Sequence, residues 1–564
     1  MPAASTTSAR AALPLAHSAH ARSNAVARVS ISVLGAWLAF WLWCGRYHLL
    51  DDALIHLRYA EQLARSGLLT YNDGAPSFGT SSLLYVALLA ACRARLSAPL
   101  LPLLPKVLSC SAYVGLWLAI GVTRARATNR SAFGVWSLLW FALSGPLAVR
   151  WLSDGMETSL TLVAASAVVV SLRSLATSRS AVRASHVALA SALCGLTVLL
   201  RIELSLLVAV IGCATLGLAW ERGVRRGIAL RLAPVVATVA GSLLGVWLWT
   251  GHVLPDTAIA KGQGGAFDPA SARAVLSALA ASGSLGLGLC GVWLMSWWLA
   301  AAEDRNQPQR VRWWLRPTSL ANALFPLLVL LIVARGQAVQ GVRYLAWAWV
   351  ASVTWNALTL EAAGKSTPSL ALAGVRAGTR TALRLGVALV WLLWAAESPT
   401  TWRIFAGRSE TFLRMSESEW TSFRHVPSVA ADIGFFGYFS RTEVCDLNGL
   451  VNGRAFAQAS SAQRARRCAE RRPVVAFVTD SQRRLLMSVL DLTGWTPCGY
   501  VDFTNVASLD RHELLLHPQA DLHCPAGFAR TQTPKVQRPV VVNMAHSQPP
   551  HSAPASAAGT PRAP

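Results

Sequence analysis

The sequence predicts an all-α polytopic membrane protein of about eleven transmembrane helices, followed by a small extracytoplasmic α/β domain. Three observations predict it. Of 564 residues, 53% are hydrophobic and only 14% charged, and the mean hydropathy is positive. Apolar runs recur from Val29 to Ala396, most of them approaching the roughly 20 residues needed to cross about 30 Å of hydrocarbon. Loops carrying several arginines alternate with loops carrying few, the distribution that keeps Arg-rich loops in the cytoplasm.

The net charge of +24 would suggest nucleic acid in a soluble chain. Here the basic residues are scattered between apolar segments instead of interleaving with aromatics on one domain, which argues for the bilayer and against nucleic acid as the partner.

Residues 1–28, rich in Ala, Ser, Arg and His and free of acidic residues, read as a disordered cytoplasmic tail. The run from Val29 to Gly45 holds bulky Trp and Phe and no good small-residue cleavage site follows it, so it reads as a first span and not a signal peptide. Residues 29–399 make the transmembrane module, with a first outer loop at 46–102. The apolar stretch from Ser81 to Leu96 ends in Arg93 and Arg95; if it crossed, every later Arg-rich loop would fall outside. It is therefore expected to lie in the outer interface. The remaining spans fall near 103–122, 132–149, 159–172, 185–200, 204–220, 232–250, 274–300, 318–334, 341–359 and 383–396. Residues 529–564, rich in Pro, Ala, Ser and Gln, read as a second disordered tail.

This parity places the N-terminus and the Arg-bearing loops, such as Arg124 to Arg130 and Arg222 to Arg231, in the cytoplasm. The outside receives Asp51-Asp52, the run Ser153 to Thr158, Arg201-Ile202-Glu203, His252 to Gly262, Gln340 to Tyr344 and everything after Ala396. Carboxylates from separate places converging on one face suggest a polar cavity there.

Asp51 and Asp52 are the candidate catalytic pair. Adjacent carboxylates repel, and a shared proton or a divalent cation relieves the cost. One would take a proton from an acceptor hydroxyl while the other, Asp52, would hold a cation such as Mg, Mn or Ca. The same residues also fit a helix start, with Asp51 as N-cap and Asp52 in the first turn. Asp154 and Glu157 are candidate substrate ligands or caps of a helix starting at Thr158, and Arg201 and Glu203 are candidate ligands or a mutual pair at a tight turn. Asp256 lies in the same outer stretch as Lys261, a candidate phosphate ligand or an exposed loop charge. Arg343, with Tyr344 beside it, sits just inside a span and calls for a carboxylate or a lipid phosphate.

The runs DDALIHLRYAEQLARSGLLTYNDGAPSFGTSSLLY, SDGMETSL, RIELSLL, GHVLPDTAIAKG, GVRYL and VAADIGFFGYFSRTEVCDLNGLVN resemble, in order, the motif set of polytopic GT-C glycosyltransferases, closest to the mycobacterial terminal arabinofuranosyltransferases. The resemblance implies a GT-C-like fold in the plasma (inner) membrane. It also implies a polyprenyl-phosphate-linked sugar donor, a glycan or glycolipid acceptor in the extracytoplasmic space, and no nucleotide. It maps an essential Asp of the first outer loop onto Asp51 or Asp52, and family motif positions onto Asp154, Glu157, Arg201, Glu203, Asp256, Lys261, Arg343 and Tyr344. The chain departs from the arabinosyl pattern at Ser77 to Ser82, at Ile202 where proline is usual and at His56 where a small residue is usual. The sugar is therefore left as a pentose such as arabinofuranose, or a hexose. The alternative from a different class is a transporter or flippase for a lipid-linked sugar, which would place its ionisable groups near the bilayer midplane.

Residues 400–528 are expected to form the extracytoplasmic α/β domain, with β-like runs at 474–478 and 514–516 and helices near 461–471 and 482–490. It holds Cys445, Cys468, Cys498 and Cys524, which allow three disulfide pairings; no CxxC spacing marks them as zinc ligands.

Overall fold

The computed structural model describes residues 32–528, apart from 75, 94, 97, 179–181, 262–282, 306–315, 335–340, 364–371 and 503–510. The two expected tails, 1–28 and 529–564, lie outside these residues. The described chain is mostly helical, with one five-stranded sheet near its C-terminal end.

The helical part runs through α1 (Ser32–Cys44), α2 (Asp51–Ser66), α3 (Leu83–Arg93), α4 (Leu104–Arg126), α5 (Arg130–Ala142), α6 (Pro146–Leu152), α7 (Thr158–Thr177), α8 (Ala184–Leu200), α9 (Leu204–Glu221), α10 (Arg225–Thr250) and α11 (Asp256–Lys261). It continues through helices Gly283–Arg305, Pro317–Asn322, Leu324–Ala334, Gly341–Ala363 and Leu372–Glu417. Among the described residues five helices are long and apolar enough to cross a membrane: Leu100–Arg126, Thr158–Thr177, Leu204–Glu221, Gly227–Thr250 and Gly283–Ala302. A sixth is added if α5 and α6, bent by 75°, count as one broken span. Where described, the expected spans fall on helix, with a break between α5 and α6 in 132–149; α1, α8 and Pro317–Val329 are shorter apolar helices, and 274–282 lie outside the described residues. The helix α3 has 11 residues and so extends only about 16 Å, half the hydrocarbon thickness.

The α5–α6 break has a local cause. Pro146 opens α6, where its missing N–H costs nothing, and Gly145 before it lies so close to the Trp394 indole that an added Cβ would overlap the ring.

Helix ends meet in two sets. At one end of the bundle Leu50 N donates to Asp154 O (2.9 Å), Asp256 N to Phe78 O (2.7 Å) and Lys106 Nζ to Ser153 O, while Glu397 accepts from Ser284 N and Oγ at 2.5 Å each. At the other end Glu361 accepts from Thr128 N (3.0 Å) and Asn129 N (3.3 Å), Arg231 Nη1 donates to Leu175 O (2.6 Å), and the Arg173 guanidinium lies 4.8 Å over Trp355. The first set joins segments expected outside; the second joins Arg-bearing segments expected inside. A neutral network from Trp293 through Asn322 and Asn356 to Ser296 (2.8, 2.9 and 3.0 Å) ties three helices together.

Helix Leu372–Glu417 carries straight through residue 400, so the sheet begins later than the expected domain boundary. Its strands are β1 (Pro427–Ala430), β2 (Glu443–Asp446), β3 (Val475–Thr479), β4 (Thr496–Asp502) and β5 (Arg511–Leu516), in the order β2-β1-β3-β5-β4. β1 is parallel to β2 and β3, and β5 is antiparallel to β3 and β4. The expected β-runs become β3 and β5, and the expected helices become Ser461–Glu470 and Asp480–Met487, each opened by a capping box, Ser460 with Gln463 and Thr479 with Gln482. Of the three possible pairings the fold makes Cys445–Cys468 and Cys498–Cys524; the six other cysteines are free.

Candidate functional site

The site is built where α2 meets the sheet domain. Leu50 occupies the N-cap of α2, and Asp51 and Asp52 fill its first turn. Asp51 does not cap its own helix. Its two carboxylate oxygens accept from Gly434 N and Phe435 N, both at 2.8 Å, and so satisfy the first turn of the Ile433–Ser440 helix in the sheet domain. A helix N-terminus offers unpaired N–H donors and a partial positive charge, which is why a carboxylate from elsewhere in the chain settles there. Gly434 is required at this junction: a Cβ would overlap the Asp51 carbonyl and sit 2.7 Å from its Cγ.

Asp432, the N-cap residue of the same helix, brings a third carboxylate to the junction, with His512 Nε2 at 3.1 Å from its Oδ2. Burial, then the charges of Asp432 and Asp52, raise the Asp51 carboxyl to about 7 against the pull of the two backbone bonds. Desolvation pushes Asp432 upward too, but the His512 imidazole and the Arg408 guanidinium outweigh it and hold Asp432 below the ordinary carboxylate range. Two neighbouring carboxyls with opposed shifts let one carry a proton near neutrality while the other stays ionised, the pattern that separates acid from base.

A second cluster lies under the start of α2. Glu157 stands at the N-cap of α7 but makes no capping bond; it turns instead to Arg201 Nη1 (3.2 Å) and His56 Nδ1 (3.6 Å). Arg201 also pairs with Glu203 across the break between α8 and α9, as expected of a tight turn. Glu157 and Arg201 are almost fully buried, and a buried charge pair persists only when it is satisfied by more than one partner. Asp154 is fully buried and bonds Met156 N (3.0 Å), so the run Ser153 to Glu157 folds onto the start of α2 instead of extending as a loop.

Asp256 belongs to neither cluster. Its carboxylate accepts from Phe78 N (3.0 Å) while its own N–H returns the bond to Phe78 O, fixing the Ser77 to Thr80 loop. Lys261 ends α11, and Arg343 and Tyr344 lie in the first turn of Gly341–Ala363; the side chains of all three lie outside the described residues.

The sheet domain is held on α2 by further polar contacts. Asn72 completes the open edge of β2, donating to Val444 O (2.8 Å) and accepting from Val444 N (2.9 Å). Glu61, buried on α2, takes both arms of Arg441, and Tyr71 Oη donates to Ile433 O (2.5 Å). Sequence reasoning missed Asp432, His512, Arg408 and Glu61. For Asp432 a signal existed, since it stands in the run VAADIGFFGYFS, directly before a glycine-spaced helix; His512 is one residue of a strand and carries no local signature.

Among the described residues no group of three or more His, Cys, Asp or Glu side chains is placed to hold a metal ion. The cation expected at Asp52 therefore lacks a ligand set among them, and no step below runs through a metal. Compared with family models, with curated proteins and with solved structures, the chain matches none.

Proposed function

We propose that this protein is a polytopic membrane glycosyltransferase that moves a sugar from a polyprenyl-phosphate donor to a cell-envelope glycan or glycolipid. The observation that carries the reading is the meeting of Asp51 and Asp52 with Asp432 of the sheet domain at one junction, near the buried Glu157 and Arg201 and the half-buried Glu203. The two sets of helix-end contacts fit the parity read from loop charge, on which the set joined by Asp154, Phe78 and Glu397 faces outward and the Arg-bearing set faces the cytoplasm.

In the proposed reaction an acceptor hydroxyl oxygen attacks the anomeric carbon of the donor. The bond from that carbon to the phosphate oxygen breaks, and polyprenyl phosphate leaves with the electron pair. The hydroxyl proton passes to a carboxylate of the Asp51-Asp52 pair. Negative charge growing on the leaving phosphate is met by cations at the same end of the bundle. Charged groups gathered at helix ends favour transfer at one surface over transport through the bundle.

The test is transfer of radiolabelled sugar from polyprenyl-phosphate pentose and hexose donors by the purified full-length protein in nanodiscs. The reading expects transfer by the wild type and loss of at least about a hundredfold in the Asp51→Asn, Asp52→Asn double variant. Full activity of that variant would refute it.

A further inference from the structure

The sheet domain contains an arrangement that the helical motifs do not use. β1 and β3 are parallel neighbours whose connections leave in opposite directions: β1 leads through Ile433–Ser440 to β2 on one side, and β3 leads through Asp480–Met487 to β4 and β5 on the other. In open α/β sheets the crevice at the carboxyl ends of two such strands is where ligands bind. Ala431 and Asp432 follow the end of β1 directly, and Ala431 N still bonds Phe477 O of β3 at 3.3 Å. His512 lies opposite Thr479, the last residue of β3. Its ring stacks on Phe477 at 5.2 Å and 22°, which leaves Nε2 aimed at Asp432.

The carboxyl end of β1 meets the start of α2, because Asp51 is bonded to Gly434 and Phe435, two and three residues beyond Asp432. His512 is buried, with 3% of its side chain exposed, whereas 40% of the Asp432 side chain is exposed, so the imidazole is the fixed member and the carboxylate the accessible one. The charged groups around Asp432 are Asp51 and Asp52 from α2, Arg408 from the Leu372–Glu417 helix and His512 from β5.

We propose that the sheet domain supplies half of the active site: Asp432 binds a hydroxyl of the acceptor sugar at the β1–β3 crevice, and His512 is the positioning residue that fixes Asp432 for it. This rests on the glycosyltransferase reading. It makes the acceptor a polyhydroxylated sugar held between two domains, since a carboxylate of fixed orientation accepts hydroxyl donors at defined angles. It also accounts for a histidine that is buried on β5.

The experiment uses the full-length protein in nanodiscs, with kcat and acceptor KM measured separately, for Asp432→Asn, His512→Phe and His512→Gln. His512→Phe keeps the stack on Phe477 and removes the nitrogen; His512→Gln returns an amide donor. Expected results are a loss of about a hundredfold in kcat/KM for Asp432→Asn, a loss of about ten- to a hundredfold for His512→Phe at unchanged thermal midpoint, and partial rescue by His512→Gln. Wild-type transfer with undiminished His512→Phe and Asp432→Asn activity overturns this proposal alone. Loss of folded protein in His512→Phe without a change in kcat of the folded fraction assigns His512 a structural role and also overturns it. Absence of transfer by the wild type overturns the glycosyltransferase reading, and this proposal with it.

Discussion

Gly434→Ala tests the junction between α2 and the sheet domain directly. The added Cβ would overlap the Asp51 carbonyl and come to 2.7 Å from its Cγ, so either Asp51 or the first turn of Ile433–Ser440 must move. Both 2.8 Å bonds from Gly434 N and Phe435 N are then lost. Hydrogen bonds to a charged acceptor contribute about 1.5–3 kcal/mol each; with Asp51 partly protonated near neutrality the lower figure applies, giving about 3 kcal/mol for the pair. At about 1.4 kcal/mol per factor of ten, the junction should open about a hundredfold more often. Hydrogen–deuterium exchange of the peptide covering 433–440 reads this, and transfer activity should fall with it. Exchange within threefold of wild type would refute the reasoning that Asp51 holds the two domains together.

Other outcomes follow from the same contacts. Arg201→Met removes the guanidinium that Glu157 and Glu203 share and should cost about 3–5 kcal/mol in thermal or denaturant unfolding, with much of it restored by adding Glu157→Leu. Burial raises the Asp446 carboxyl to about 7 in the fold, against 3.8 ordinarily, despite bonds from Leu450 N and Asn448 N. The folded state thus binds this proton more tightly than the unfolded one, so its contribution is full below about pH 4 and is lost as pH rises through 7; pH-dependent denaturation should show that slope, and its absence would contradict the burial argument. Opening Cys445–Cys468 or Cys498–Cys524, separated by 23 and 26 residues, should each cost about 3 kcal/mol, read as earlier unfolding of the sheet domain under reductant.

Periodicity and loop charge made the helices legible, and the short apolar runs 474–478 and 514–516 made β3 and β5 legible, because these are signals within about twenty residues of chain. The pairing of Arg201 with Glu203 was legible for the same reason, both lying at one turn. What the sequence does not carry is the partner of each charge across the fold. Asp51 looks like the cap of its own helix, yet it caps one that starts 382 residues later, at Ile433. Glu157 looks like a cap of α7 and is drawn instead to Arg201, since a buried carboxylate gains more from a guanidinium than from an N–H. Asn72, in the run YNDG, is buried against the edge of β2, a partner 372 residues away. Asn322 and Asn356, 34 residues apart, likewise bond each other from two different helices.

The measurement that bears most directly on the account is linkage analysis of the envelope glycan from cells lacking this protein, complemented with wild type or with Asp51→Asn, Asp52→Asn. The account predicts that one terminal sugar linkage disappears and returns only with the wild type. An envelope glycan unchanged by the loss of the protein would contradict it.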